Sequence, residues 1–206
     1  LSQAVQKESN WLKEFMLRSI IVSRCRIKLL QTFLGSPGEI FYVRQLVRLT
    51  GEEINAVRRE LIRMEENKMV QKEPRGNRLY YWFDQNYLLH GDLLSMISKT
   101  VGLGGAIVRQ KSRLGQIKLA MLSGRLARGL LTKEGAVDLL LVGKVNLGVL
   151  TKIVAEQEKK LGREINYTVM TKEEFNFRKK SRDPFLLGII TDARIMLLGS
   201  EMDLVF

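Results

Sequence analysis

Two short helical runs meet at Thr50-Gly51, and two β-prone runs follow the second helix with only a turn between them. Few folds can bury the apolar side of such a segment, because consecutive short elements pack against their neighbours in sequence. The first run, Ile40 to Leu49, turns Leu46 and Val47 inward and leaves Arg44 and Arg48 in water. Gly51 supplies the backbone freedom that a tight turn needs. The second run, Glu53 to Asn67, places Ile54, Val57, Leu61 and Met64 on one side of a helical period. Its other side presents Asn55, Arg58, Arg59, Ile62 and Arg63. Met69 to Lys72 and Arg78 to Phe83 then read as a hairpin around the tip Glu73-Pro-Arg-Gly-Asn77. Upstream, Ile27, Leu29, Leu30, Phe33 and Leu34 mark a helix that stops at Gly35-Ser-Pro-Gly38, and Trp11, Leu12, Phe15 and Met16 mark another before it. A further helix is expected over Tyr87 to Lys99.

Helix, tight turn, helix and hairpin in this order form the winged helix-turn-helix plan, in which the second helix enters the major groove of DNA. One face of that helix must pack on its predecessor while the other offers hydrogen-bonding side chains, and Glu53 to Asn67 meets both needs. Arg pairs with guanine and Asn with adenine, so Asn55, Arg58 and Arg59 are the expected base readers. Arg63 and Arg44 are expected on phosphate. Arg75, Asn77 and Arg78 sit at the wing tip, where Gly76 permits close approach to a minor groove or backbone. Ordinary surface pairing, for example of Arg63 with Glu60, is the competing use of these charges. In the aromatic run Tyr80-Tyr81-Trp82-Phe83, strand alternation buries every second ring, which favours core packing over base stacking.

The phrases "RIKLLQTFLGSPGEIFYVRQLVRLTG", "EEINAVRRELIRMEENKMVQKE" and "GNRLYYWFD" carry a resemblance. Residues 24–83 resemble the ArsR-like winged helix-turn-helix family of prokaryotic transcriptional regulators. The resemblance implies binding of double-stranded DNA by a homodimer at a two-fold symmetric site, with the helix around Trp11 and Phe15 contributing to pairing. The metal sensing of part of that family is not implied, because the lone Cys25 and lone His90 read as packed side chains.

Beyond Gly105, a helical stretch to about Arg113 precedes the apolar runs Ile117 to Leu122 and Val137 to Val142. A helix over Leu147 to Leu161, a strand over Ile165 to Met170, a helix over Lys172 to about Lys180, and Arg194 to Leu198 complete a small α/β or α+β domain. Val101-Gly-Leu-Gly-Gly105 is the expected joint, dividing the chain into residues 1–99 and 100–206. It is no phosphate-binding P-loop, lacking the Gly-Lys-Ser/Thr ending. The phrases "LSGRLARG", "AVDLLLVG" and "LGREINYTVMTKEEF" resemble the minimal nucleotidyltransferase superfamily. In that family a Gly-Ser turn and an Asp-x-Asp strand hold two Mg²⁺ ions on nucleotide phosphates. Here Arg125 stands at the serine position, Ala136 replaces the first acid beside Asp138, and Asn166 is the only polar group near the third. One carboxylate cannot organise two Mg²⁺ ions, so the domain is expected to be non-catalytic, with no catalytic residues, bound metal or cofactor. Arg125, Arg128 and Lys133, with Arg109, Lys111 and Arg113 upstream, form either a cleft for a nucleotide or other anionic effector or a solvated basic surface.

Composition narrows the class. The 206 residues carry 34 Lys and Arg against 22 Asp and Glu, a net charge of +12, which favours a polyanionic partner. One cysteine excludes an internal disulfide framework, and no apolar run is long enough to span a bilayer. With no export signal read at Leu1-Ser-Gln-Ala, a cytoplasmic protein without membrane partners is expected. The leading expectation is a DNA-binding transcriptional regulator whose second domain dimerises or binds a partner or effector. An active Mg²⁺-dependent nucleotidyltransferase that selects substrate through the winged helix is the alternative, and a protein-binding winged helix is a third.

Overall fold

The computed structural model describes residues 17–128, 130 and 136–205. The helix expected around Trp11 and Phe15, and Lys133, lie outside the described residues. The protein is a mixed α+β chain with two small sheets, divided into two units, the first ending at Ile97 and the second beginning at Ser98. Among the described residues no helix is long and apolar enough to cross a membrane.

In the first unit, helix α1 (Arg24–Gly35) is capped by the Ser23 hydroxyl, which accepts the Arg26 N–H. A two-residue strand β1 (Phe41–Tyr42) follows, then α2 (Val43–Thr50), α3 (Ile54–Glu66), β2 (Val70–Arg75), β3 (Arg78–Phe83) and α4 (His90–Ser98). The sequence pattern assigned residues 40–42 to the helix; instead Phe41 and Tyr42 pair with Tyr81 and Tyr80 and make β3 the centre of an antiparallel sheet. Phe41 is buried edge-on against Phe33, with ring centres 5.7 Å apart, so extending the backbone here fills the core beneath α1. Pro74 lies in edge strand β2, the position in a sheet that tolerates a missing N–H. The helix expected from Tyr87 begins only at His90, and Leu88 is 91 % exposed.

The second unit runs α5 (Gly102–Arg109), α6 (Lys111–Leu114), β4 (Gly115–Ser123), α7 (Gly124–Ala127), β5 (Leu139–Val145), α8 (Leu147–Leu161), β6 (Tyr167–Met170), α9 (Lys172–Lys180), α10 (Pro184–Thr191), β7 (Arg194–Leu198) and a terminal 3₁₀ turn (Glu201–Leu204). Its sheet has the order β6-β5-β4-β7, with only the β5 and β6 pair parallel. Leu139 to Val142 are buried on both sides of central strand β5, as a sheet covered on two faces requires. Leu140 and Val142 join Leu119, Met121, Phe175, Leu186 and Ile190 in one core. Gly104 of α5 packs on the other face, between Leu122 and Leu197.

That contact corrects the expected joint at 101–105. Leu103 to Ile107 are buried in a helix, and a Cβ at Gly104 would lie 2.3 Å from the Ser98 carbonyl. Gly104 and Gly105 serve close packing rather than a hinge, whereas Gly102 opens the helix at φ 59°.

Candidate nucleic-acid interface

The turn between α2 and α3 is held by several local bonds. Gly51 takes the left-handed conformation (φ 63°) and donates its N–H to Val47 O. The buried Thr50 hydroxyl donates to Leu46 O at 2.7 Å, and Lys28 Nζ bonds the Thr50 carbonyl at 2.8 Å. Glu53 caps α3, its carboxylate accepting from Ala56 N at 3.0 Å. Backbone bonds, first from Asn55 and then from Ala56, hold its pKa below the ordinary carboxylate range.

With the turn set, Val57, Leu61 and Met64 bury their side chains while Asn55, Arg58, Arg59, Ile62 and Arg63 face out. An open cleft of about 1080 Å³ is lined by α2, α3, β1 and the hairpin. It collects four of the expected contact residues: Arg44, Arg58, Asn77 and Arg78. Gly76, with φ 57°, lets the strands reverse in a two-residue turn beside Asn77. Asn55 and Arg59 are exposed on α3 but do not line the cleft.

Two expected contacts have other partners. Arg63 Nη1 lies 3.3 Å from Glu60, which is only 5 % exposed and also accepts from Arg26 Nε at 2.8 Å and from the Ser23 hydroxyl at 2.9 Å. Arg63 therefore completes a charge-compensated junction between α1 and α3, the surface-pairing use weighed for it. Arg75 is paired with Glu73 at 2.7 Å.

The cleft also contains Arg48, Lys72 and Tyr42, which sequence reasoning did not place among the contacts. Arg48 was legible as the residue one helical turn after Arg44. Lys72 is bonded to Glu65 at 2.7 Å, which raises its pKa. Tyr81 and Phe83 are buried as alternation requires, but Tyr80 is half-buried, its ring 5.9 Å from and edge-on to that of Tyr42.

In the second unit a smaller cleft of about 380 Å³ contains Arg125, Ser123, Ala136, Phe185 and Asp192. Arg128 is exposed at the end of α7 and does not line it. Arg109 is not part of a basic surface: its guanidinium bonds the Thr100 carbonyl at 3.0 Å, and burial lowers its pKa. Asp138 is fully buried, its carboxylate accepting from Asn166 N at 3.1 Å. Among the described residues no group of three His, Cys, Asp or Glu side chains could hold a metal. The chain matches no family model, no curated protein and no solved structure.

Proposed function

We propose that the chain is a sequence-specific double-stranded DNA-binding transcriptional regulator. Its first unit is read as a winged helix-turn-helix with α3 in the major groove and the β2–β3 hairpin as wing. The observation that carries this reading is the convergence of Arg44, Arg58, Asn77 and Arg78, from three separate elements, on one cleft beside the exposed face of α3. Among the described residues Arg44, Arg58, Arg59 and Arg78 form no ion pair, although Arg58 and Arg59 attract Glu53 through space, and this leaves their charge open to a polyanion. The second unit is read as a non-catalytic nucleotidyltransferase-like domain that serves dimerisation, a partner or an anionic effector. The inward-facing Asp138 supports its lack of catalysis, since a carboxylate committed to backbone does not project toward phosphate-bound metal.

Selection of duplexes from a random library at moderate salt, followed by anisotropy titration of the winner against scrambled DNA, tests the reading. An enriched motif, palindromic for a dimer, is expected. Salt-sensitive binding without enrichment overturns sequence specificity, and no binding overturns the DNA reading.

A further inference from the structure

The outer face of the first unit's sheet carries an alternation of arginine and tyrosine. Tyr42 and Tyr80 are directly paired across β1 and β3 and therefore share a face. The Arg78 guanidinium lies over the Tyr42 ring, 4.8 Å from its centre. Arg48 reaches the same residue from α2, donating from Nη2 to the Tyr42 hydroxyl at 2.6 Å with its guanidinium 6.0 Å from the ring centre. Arg75 lies over Tyr80 at 5.4 Å but is already paired with Glu73. Among the described residues neither Arg48 nor Arg78 has an acidic partner.

Half-exposed tyrosines on a basic sheet are also the raw material of a platform for unpaired bases, which stack on open aromatic faces. Here the ring of Tyr42 is covered by a guanidinium and that of Tyr80 meets a neighbouring ring edge-on and an arginine. What the face offers to a ligand is therefore positive charge in fixed positions. Arginine side chains lose considerable rotamer freedom when they are ordered on a ligand, and a cation held against a ring has already lost much of it. Two guanidinium groups anchored on one tyrosine, Arg78 over its ring and Arg48 at its hydroxyl, suit successive phosphodiesters of a backbone, each able to accept paired N–H bonds.

We propose that Arg48 and Arg78, held by Tyr42, form a phosphodiester clamp that grips the duplex backbone beside the bases met by α3. Tyr42 is a positioning residue in this clamp and acts only through the two arginines. The inference rests on the duplex-binding reading above and adds to it a second contact line carrying no sequence preference.

The test is a set of anisotropy titrations across a salt series, on selected and scrambled duplexes, with thermal melts of every variant. Arg48→Ala and Arg78→Ala should each weaken both duplexes alike and reduce the salt slope by about 0.9, the value for one lost phosphate contact. Tyr42→Leu should weaken both duplexes by about two- to fivefold for each guanidinium released. It should have no further effect once Arg48 and Arg78 are both replaced by alanine. Tyr42→Phe keeps the ring and loses the hydroxyl, so it should still weaken the Arg78→Ala protein and leave the Arg48→Ala protein unchanged. Effects of Tyr42→Leu that persist undiminished in the double-alanine background overturn the clamp, as does unchanged binding in Tyr42→Leu. Tighter binding of single-stranded than duplex DNA, lost in Tyr42→Leu, overturns it in favour of base stacking. If the unmodified protein binds no duplex, the proposed function fails and the clamp fails with it; duplex binding with additive effects removes the clamp alone.

Discussion

Asp138 and the backbone of Asn166 are joined twice: the carboxylate Oδ2 accepts the Asn166 N–H at 3.1 Å, and the Asp138 backbone N–H donates to the Asn166 carbonyl at 2.7 Å. These bonds fasten the entry of β5 to that of β6, the two parallel strands of the second sheet. Replacing Asp138 by Ala strands a partly buried N–H and should destabilise the protein by about 2 kcal/mol in a urea melt. The wild-type protein, given Mg²⁺ and each of the four nucleoside triphosphates in labelled form, should incorporate none. Incorporation that disappears in Asp138→Asn would give Asp138 a catalytic place and reverse the reading of this unit.

Gly104 faces the Ser98 carbonyl and the side chains of Leu122 and Leu197 with no room for a methyl group. Gly104→Ala is expected to cost about 1–3 kcal/mol, because backbone and core must shift to admit it. Gly188 is the counterpart: it lies inside α10, is exposed, and a Cβ there would meet nothing within 4 Å. Gly188→Ala should therefore stabilise by about 0.8–1 kcal/mol through helix propensity. Equal tolerance at both positions in urea melts would return residues 101–105 to a hinge role.

These glycines also show where local pattern stops informing. Helices α8 and α9 have the bounds their patterns predict because their punctuation is local: Asn146 and Thr171 cap the starts, and Gly162 closes α8 in the left-handed conformation. Helix α10 escaped the pattern although Asp183-Pro184 is a strong start signal, since its run of apolar residues lacks a polar face to reveal a helical period. Strand β1 is too short for alternation to register and exists through pairing with β3. The same division holds in the candidate interface. The exposed side of α3 follows from spacing, whereas the use of Arg63 depends on Arg26 and Ser23, which only folding brings to Glu60.

Cys25 is a buried thiol in α1 whose pKa is pushed up to about 11, chiefly by burial and further by Glu52 and Glu60. The folded protein therefore retains a proton that the unfolded chain releases as pH rises through the ordinary thiol range. Stability from this group is complete below that range and falls as pH approaches 11, with a limiting slope of about 1.4 kcal/mol per pH unit. Iodoacetamide at pH 8 should leave Cys25 unmodified in the native protein and label it in urea. Rapid native labelling, followed by mass spectrometry, would show the thiol to be accessible.

On α3, Asn55 and Arg59 occupy the exposed face, Arg59 without an ion pair among the described residues, while Arg63 is bonded to Glu60. The paired contact by which a side chain reads a base is made on the cognate duplex alone, at about 1–3 kcal/mol for a good one. Asn55→Ala should thus relax one position of the selected motif and leave binding to scrambled DNA unchanged, while Arg59→Ala should relax one position and cost the cognate duplex more than scrambled DNA, which loses only the general attraction of the charge. Arg63→Ala should preserve the motif and lower the melting temperature, because it weakens the junction between α1 and α3. Arg75→Ala should weaken all sequences alike, with a salt slope reduced by less than about 0.9, since Glu73 already compensates part of its charge. Repeating the duplex selection with each variant separates these outcomes. A uniform loss on cognate and scrambled DNA from Arg59→Ala would move base readout off this face, and the Arg58 side bordering the cleft would then be the surface that meets the bases.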